Sequence, residues 1–185
     1  MGRPRKFNRE DVLRKALPVF WAGGFANTAV QDIEHATGVN KSGLYSEFKD
    51  KEEIFVESLR FYYSTAMTKE LLSKEPLGWG NIRDLLKGLT ERSSQEQKGC
   101  FGVNCMRELE LLPSEARELI VENRKQLRQL FIKNISAEKT KMSPEAIADL
   151  VTTFFSGLCI EQNMNAPKTH LLAKATDFMS VLRLL

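Results

Sequence analysis

The 185-residue sequence has little of what several protein classes require. Three cysteines and two histidines exclude a disulfide framework and disfavour a structural zinc site. Only 11 glycines and 6 prolines are present, which excludes collagen-like and low-complexity chains. The longest uncharged, strongly apolar stretch, residues 150–160, falls well short of the ~20 residues that span a bilayer. No apolar segment follows the N-terminus, so we expect no signal peptide, no membrane association and a cytoplasmic location.

The composition that is present is typical of an ordered globular protein, with 42% hydrophobic and 28% charged residues. The net charge is only +3, but its placement is uneven. Arg3, Arg5, Lys6 and Arg9 place four positive charges within the first nine residues. A short basic arm that also contains glycine and proline is extended rather than helical and can follow a polyanion. A solvated tail would have the same composition.

Apolar periodicity predicts helices throughout the chain and no strand, which gives an all-α fold. Nine helices are expected, over about 9–23, 28–37, 41–47, 50–74, 79–94, 100–112, 114–135, 143–165 and 167–185. Asn8, Asn40, Asp50 and Ser143 are predicted as N-caps. Thr28 is predicted to open the second helix in a capping box with a glutamine three residues later.

The second and third helices are short, and a tight turn at Gly38 separates them, which is typical of a helix-turn-helix. Glycine suits this turn because the chain reverses there with a positive φ. Any small helical bundle can show such a pattern. The basic arm before it and Lys49 and Lys51 after it favour a nucleic-acid reader. The residues left to project outward are Asn40, Lys41, Ser42 and Tyr45.

Three segments carry a family resemblance: FWAGGFANT at 20–28, IEHATGV at 33–39 and KSGLYSEFKDKE at 41–52. They resemble the DNA-binding domain of the TetR/AcrR family of bacterial transcriptional regulators, over residues 7 to about 56. The resemblance implies a nine-helix protein with an N-terminal arm and helix-turn-helix domain over 1–50. A helical ligand-binding and dimerisation domain is then expected over 51–185. Glu47 departs from the family, because many members carry tyrosine or histidine there, close to the DNA backbone.

The expected DNA contacts follow from helix-turn-helix geometry, in which the first residues of the second motif helix reach bases and phosphates. Thr28 is predicted to offer its hydroxyl to a phosphate, and flanking lysines are predicted to touch the backbone. The arm is predicted to enter a minor groove. The predicted contacts are Arg3, Arg5, Thr28, Asn40, Lys41, Ser42, Tyr45, Lys49 and Lys51.

The last two predicted helices carry apolar stripes that are wider than a monomer needs. Core packing within one chain or a two-fold four-helix interface would both explain them. The resemblance implies a homodimer, and one short recognition helix reads too few bases for useful specificity. The predicted interface residues are Ile147, Val151, Phe155, Leu158, Leu171, Ala175, Phe178, Met179 and Leu182.

A ligand would have to be enclosed by the helices that follow the first three, because those three are committed to DNA. A mostly apolar cavity with a few polar anchors suits a small hydrophobic or aromatic inducer, although plain core packing explains each residue as well. The predicted lining residues are Phe61, Tyr62, Met67, Trp79, Phe101, Asn104, Met106, Asn123, Phe131 and Phe154.

The segment GCFGVNC at 99–105 contains two cysteines, Cys100 and Cys105. They could form an oxidant- or electrophile-sensing pair, or be small buried apolar residues. Some members of the resembled family with a similar segment are thiol sensors. A thiol redox enzyme or a purely structural module would leave the basic arm and the two short helices without purpose.

No catalytic constellation, nucleotide-binding loop or metal-ligand spacing is present in the sequence. We therefore expect a regulator without enzymatic activity that uses no cofactor and no metal. The expected partners are double-stranded operator DNA, a second copy of the chain and a small-molecule inducer. The expected role is repression that the inducer relieves.

Overall fold

The structure, a computed structural model, describes residues 7–91 and 99–185, and within these ranges it contains helices and no strand. The predicted all-α class is therefore confirmed. Every predicted helix has a counterpart, but the predicted fourth helix is divided into two, and the predicted sixth is a short α-helix followed by a 3-10 helix. The helices are α1 Arg9–Asn27, α2 Val30–Thr37, α3 Lys41–Leu44, α4 Lys51–Thr65, α5 Thr68–Leu72, α6 Trp79–Glu91, α7 Phe101–Cys105, the 3-10 helix Met106–Leu111, α8 Ser114–Ser136, α9 Pro144–Asn163 and α10 Lys168–Leu182. Each helix in the described ranges is too short or too polar to cross a bilayer.

The single helix predicted over 50–74 is interrupted after Thr65. The hydroxyls of Ser64 and Thr65 each donate to the carbonyl of Phe61, at 2.9 Å in both cases. Hydroxyl groups that bond nearby carbonyls compete with the backbone ladder. The chain leaves the helix at this point and resumes as α5 after Ala66 and Met67.

The capping box predicted at Thr28 is wrong. Ala29 is the N-cap of α2, and the Asp32 carboxylate accepts a hydrogen bond from its amide at 2.8 Å. The Thr28 hydroxyl donates backward instead, to the carbonyl of Gly24 at 2.6 Å. Gly24 itself leaves the helical conformation, with φ 77° and ψ 176°, so α1 breaks where its glycine pair predicted.

The other predicted caps are confirmed. The side chains of Asn40, Asp50 and Ser143 accept hydrogen bonds from backbone amides three residues later, at 2.8, 2.8 and 3.3 Å. Each bond satisfies an amide that has no partner inside its helix. These three residues therefore define where α3, α4 and α9 begin.

The chain packs into two compact units. The first contains the described part of Met1–Thr65 together with Asn104–Ile120. Its core surrounds Phe55 of α4, whose ring centroid lies 5.1 Å from that of Phe20 and 5.0 Å from that of Phe25. The functional boundary predicted at residue 50 stays a prediction.

The second unit contains Ala66–Val103 and Val121–Leu185, and in it α6 lies against α9 and α10. A fully buried asparagine, Asn134 of α8, binds the loop that precedes α6. Its amide nitrogen donates to the carbonyls of Leu72 at 2.7 Å and Leu130 at 2.9 Å. Its oxygen accepts from Asn81 at 2.9 Å and from the amide of Gly78 at 3.1 Å. One side chain thus satisfies four polar groups in the core.

A second buried amide, Gln162 of α9, has a similar role. Its nitrogen donates to the carbonyl of Leu89 at 3.1 Å, and its oxygen accepts from the amide of Gly99 at 2.7 Å. The end of α6 and the approach to α7 are therefore both attached to α9.

Candidate nucleic-acid interface

The helix-turn-helix is built on two fully buried aliphatic side chains. Ile33 of α2 and Leu44 of α3 are both inaccessible to solvent. Between the helices Gly38 takes the left-handed conformation, with φ 73°, and its amide donates to the carbonyl of Glu34 at 2.8 Å. The predicted turn glycine is therefore confirmed, since this backbone conformation is costly for a residue with a Cβ.

The first amides of α3 are occupied by side chains of the protein. The Asn40 carbonyl oxygen accepts from Gly43, and the Glu34 carboxylate accepts from the amide of Lys41. Sequence reasoning did not assign a role to Glu34. Because the amides of Lys41 and Gly43 already have partners, we expect recognition by α3 to proceed mainly through its side chains.

Five of the predicted DNA contacts are exposed on and directly after α3. We call this set the reading surface: Asn40, Lys41, Ser42, Tyr45 and Lys49. The Lys41 ammonium lies 5.8 Å from the centroid of the Tyr45 ring, within range of a cation–π contact. The reading surface therefore carries two positive charges, hydrogen-bonding groups and one aromatic ring along α3 and in the residues directly after it.

Two predicted phosphate contacts face the protein instead. Thr28 is only 3% exposed, and its hydroxyl is used by Gly24. The Lys51 ammonium donates to the carbonyls of Phe25 at 2.9 Å and Thr28 at 3.0 Å, and it lies 4.3 Å from the centroid of the Phe25 ring. The carbonyls of a turn have no helical hydrogen-bond partners, so a nearby lysine ammonium donates to them instead of pointing into solvent. This geometry does not present either side chain to a phosphate.

Of the four basic residues near the N-terminus, only Arg9 lies within the described residues. Arg3 and Arg5 lie outside the described residues, so their predicted minor-groove contacts stay predictions. Arg9 belongs to α1, where it donates to the backbone carbonyl of Glu47 and to the Glu53 carboxylate at 2.8 Å. Its guanidinium also lies 4.2 Å from the centroid of the Phe48 ring. A positive charge in the first turn of a helix is unfavourable, because the N-terminal end of the helix dipole is also positive. The position of Arg9 could therefore have indicated that its side chain binds elsewhere in the fold.

Glu53 is the electrostatic counterpart of Arg9 at the start of α4. Its carboxylate accepts from the amide of Lys49 at 2.7 Å. This backbone hydrogen bond, followed by the Arg9 guanidinium, holds the pKa of Glu53 below its ordinary value. The half-buried Glu47 lies beside this cluster, and the repulsion predicted between its carboxylate and phosphate stays a prediction.

The predicted ligand-lining residues fall into both units. In the first, Tyr62 packs edge-on against Trp21 with 5.0 Å between ring centroids, and Phe61, Asn104 and Met106 are half-buried. In the second, Trp79, Phe101 and Phe131 are buried, Phe154 and Asn123 are half-buried, and Met67 is 72% exposed. Met67 is therefore on the surface rather than in the predicted apolar lining.

A groove of about 460 Å³ lies on the second unit, and none of the predicted lining residues borders it. Its walls come from α8 and α9, and six of its seven lining residues carry polar or charged groups. Across it, Arg128 forms a two-bond salt bridge with Asp149, at 2.6 and 3.1 Å. The Arg128 guanidinium lowers the pKa of Asp149. This groove contains none of the aromatic side chains that the sequence predicted for an inducer site. It is lined by Val121, Arg124, Lys125, Arg128, Asp149, Thr152 and Thr153.

The predicted dimer residues lie mainly in the core of the second unit. Eight of the nine are buried within their own chain: Ile147, Val151, Phe155, Leu158, Leu171, Ala175, Met179 and Leu182. The ninth, Phe178, is half-buried and stacks on Phe154 with 3.8 Å between ring centroids. Any partner surface on α9 and α10 therefore has to use their exposed neighbours, such as Leu150, Leu172 and Val181.

Cys100 is half-buried, and Cys105 and Cys159 are buried. Within the described ranges, no three histidine, cysteine, aspartate or glutamate side chains are grouped so as to hold a metal ion.

Comparison with known proteins agrees with this geometry. Residues 12–57 match the family model described as "Bacterial regulatory proteins, tetR family". Over 108 residues the chain is 32% identical to the HTH-type transcriptional repressor ComR of Escherichia coli (strain K12), an alignment that covers 56% of this chain and 51% of ComR. Over 160 residues it is 26% identical to the HTH-type transcriptional repressor BdcR of the same strain, covering 85% of this chain and 80% of BdcR. The match to ComR thus spans about half of that relative's length.

A search of solved structures finds the same architecture. A cysteine mutant of the TetR family transcriptional regulator CifR, complexed with 26-bp double-strand operator DNA, superposes with a TM-score of 0.84 at 24% identity. The superposition covers 98% of this chain and 100% of that one, and it shows the fold alone. Residues 12–57 thus match the tetR family of bacterial regulatory proteins, and the chain has the helical fold of a solved TetR family structure over 98% of its length.

Proposed function

We propose that this protein represses transcription in the cytoplasm as a homodimer that binds operator DNA through the reading surface. The arrangement of α3 carries the proposal: its aliphatic residue is buried, its first amides are bonded within the protein, and its polar side chains face solvent. A helix held in this way offers side chains to base edges and phosphates. The two relatives named as repressors support the direction of regulation.

Each member of the reading surface suits a different contact. The Asn40 side chain uses its oxygen as the cap of α3, which leaves its amide N–H groups as donors. Lys41 is positioned beside the Tyr45 ring, and this contact restricts the lysine before DNA arrives. Ser42 supplies a hydroxyl. Lys49 lies beyond α3, where a point charge suits a backbone phosphate.

Dimerisation follows from the size of the reader. The α3 helix spans only Lys41–Leu44, so one copy reaches few base pairs. Two copies that bind half-sites one helical turn apart supply the missing specificity. On α9 and α10, Leu150, Leu172 and Val181 are exposed apolar side chains, and the Phe154–Phe178 stack is half-buried. We propose that a second copy of the chain covers these apolar side chains in the homodimer.

Relief of repression is proposed to require a small hydrophobic or aromatic molecule. Trp79, Phe101 and Phe131 are packed in the second unit, so a ligand that contacts them has to separate these side chains. The energy for this opening comes from the ligand's preference for the opened conformer. Operator affinity then falls by the factor by which the ligand favours that conformer.

The experiment that tests DNA binding uses the full-length protein and fragmented genomic DNA of its host. Fragments that the protein retains are sequenced, and the shortest retained duplex is titrated with protein at several salt concentrations. We expect Lys41→Ala and Tyr45→Ala each to weaken binding about tenfold or more, because each removes a contact to bases or phosphates. Lys69→Ala, an exposed lysine on α5, is the matched control and should bind as the wild type does.

Lys49→Ala refines this test. Loss of one phosphate contact should reduce the slope of log K against log salt by about 1 while leaving the preference for the operator unchanged. Equal affinities for wild type, Lys41→Ala and Tyr45→Ala would remove α3 from the interface and end the proposal.

The thiol alternative is tested with the same duplex. A buried Cys105 and a half-buried Cys100 are poorly placed for attack by an oxidant, because reactive cysteines are exposed thiolates. We therefore expect peroxide to release DNA no better from wild type than from the Cys100→Ser, Cys105→Ser double variant. If peroxide released DNA from the wild type only, cysteine oxidation rather than an inducer would be the signal that relieves repression.

A further inference from the structure

The segment between the break in α1 at Gly24 and the start of α2, here called the α1–α2 turn, is bonded to a residue more than eighty positions away in the chain. The Glu108 carboxylate accepts hydrogen bonds from the backbone amides of Phe25 at 2.6 Å and Ala26 at 3.1 Å, all within the first unit. Bonds from amides to a carboxylate are charge-assisted and stronger than neutral ones. Both amides follow the break at Gly24 and precede α2.

The geometry of Gly24 makes this contact possible. A Cβ at this position would lie 2.6 Å from Oε1 of Glu108, which is closer than real Cβ atoms approach a neighbour. The glycine also has a φ of 77°. The backbone conformation therefore favours glycine at position 24, and a Cβ there would displace the Glu108 carboxylate.

The carbonyl side of the same turn is held by Lys51, which donates to Phe25 and Thr28. The turn is thus bonded on its amide side by a carboxylate and on its carbonyl side by an ammonium. The Asp32 carboxylate then caps α2 directly after the turn. The start of α2, and through the Gly38 turn the position of α3, depends on these bonds.

The residue that supplies the carboxylate sits in a weakly regular segment. Met106–Leu111 is a 3-10 helix, and Glu108 lies outside helical values with φ −125° and ψ 27°. The backbone hydrogen bonds of a 3-10 helix have poorer geometry than those of an α-helix, and 3-10 segments often mark hinges. The segment is joined along the chain to α7 before it and α8 after it. A change in either helix can therefore move the carboxylate.

We propose that Glu108 is a positioning residue for operator binding: its carboxylate latches the α1–α2 turn and couples the conformation of residues 106–111 to the reading surface. This inference rests on the proposed function. When the carboxylate is withdrawn, the amides of Phe25 and Ala26 exchange it for water, α2 loses a defined starting position, and operator affinity falls. Because coupling is reciprocal, DNA binding must strengthen the latch by the same factor.

The test compares Glu108→Gln with Glu110→Gln, an exposed glutamate on the same 3-10 helix, using the duplex recovered from genomic fragments. Glutamine keeps the size but loses the charge and one acceptor, so we expect about tenfold weaker binding from the lost charge-assisted bond. Glu110→Gln should bind within twofold of wild type. Glu108→Asp, which keeps the charge but shortens the reach, is the second variant and should fall between them.

Amide hydrogen exchange supplies a readout that general destabilisation does not move. Without DNA, the amides of Phe25 and Ala26 should exchange faster in Glu108→Gln than in Glu110→Gln, while core amides of α4 exchange alike. With the duplex, wild type should gain protection at residues 106–111, and Glu108→Gln should not.

Equal affinity of the two glutamine variants, or equal exchange at Phe25 and Ala26, overturns the latch while DNA binding stands. Equal gain of protection at residues 106–111 in wild type and Glu108→Gln overturns the coupling as well. If wild type and Glu110→Gln both retain no duplex, the proposed function fails first and the latch fails with it. The affinity of Glu110→Gln therefore separates the two failures.

Discussion

The two units of this protein hold their connecting turns with different chemistry. In the first unit the turn between α1 and α2 is bonded by charged side chains, Glu108 and Lys51. In the second unit the segments around α6 are bonded by neutral amides, Asn134 and Gln162, that are buried in the core. Similar loops are thus held by groups with very different access to water.

The difference determines how readily each unit rearranges. A charged group near the surface returns to water when its contact breaks, so much of the lost energy is recovered. A buried amide that loses its partners leaves polar groups without hydrogen bonds, at a cost of about 1–3 kcal/mol each. We therefore expect the first unit to rearrange more readily and the second unit to act as the stiffer frame.

The largest effect is expected from charge placed in the core of that frame. Phe155 is 6% exposed, and Phe155→Glu should lower the free energy of unfolding by about 4 kcal/mol or more, since it removes an aromatic ring and buries a carboxylate. Leu172→Glu, on the exposed side of α10, should leave the fold intact and weaken self-association. Circular dichroism melts and light scattering of both variants measure this. A folded, monomeric Phe155→Glu protein would place Phe155 in the interface after all.

The next effect concerns the buried amide. Asn134→Ala leaves the amide of Gly78 and the carbonyl of Leu72 without their partner, so we expect a loss of about 3 kcal/mol in unfolding free energy. Asn123→Ala, half-buried on the same helix, should cost less than about 1 kcal/mol. Urea unfolding of a Trp21→Phe background, which leaves Trp79 as the reporter, follows the second unit. Equal losses of unfolding free energy in Asn134→Ala and Asn123→Ala would show that the buried amide stabilises the second unit no more than the half-buried one.

A smaller effect is expected in the first unit. Lys51→Ala removes the donor to Phe25 and Thr28, but water can replace it, so we expect a loss of about 1–2 kcal/mol. Lys49→Ala, exposed two residues earlier, is the control and should stay within about 0.5 kcal/mol of wild type. A Trp79→Phe background leaves Trp21 to report on this unit. A loss at Lys51 as large as that at Asn134 would show the first unit to be equally rigid.

The smallest effect is a pH dependence. The pKa of Glu53 is lowered from 4.5 by the Lys49 amide and then by Arg9, so its charged form stabilises the folded state. This contribution is complete above the ordinary pKa and is lost as the pH falls through the lower folded-state pKa. Glu53→Gln should therefore be less stable than wild type at neutral pH, and the difference should vanish in acid. Chemical unfolding from pH 7 to pH 3 measures this, with exposed Glu52→Gln as the control; a constant difference would contradict it.

Features with a local cause were predictable. Asn40, Asp50 and Ser143 cap their helices because the bonded amide is three residues away, and Gly38 adopts a positive φ because the turn is short. The outward direction of Lys41 and Tyr45 followed from the same short-range pattern. The predictions failed where a side chain had two possible partners. Lys51 and Thr28 were predicted to contact DNA phosphates, yet both side chains donate to backbone carbonyls of the protein.

The amino-acid sequence by itself determined where most of the helices lie, most of their caps, the helix-turn-helix and the exposed residues of the reading surface, because these depend on contacts within a few positions. Only the tertiary structure decided that Phe155 and Leu158 face their own chain, that Asn134 is fully buried, and that Glu108 reaches the α1–α2 turn. An apolar stripe has the same periodicity whether it packs against its own chain or a second one, and a bond across eighty residues leaves no periodic signal.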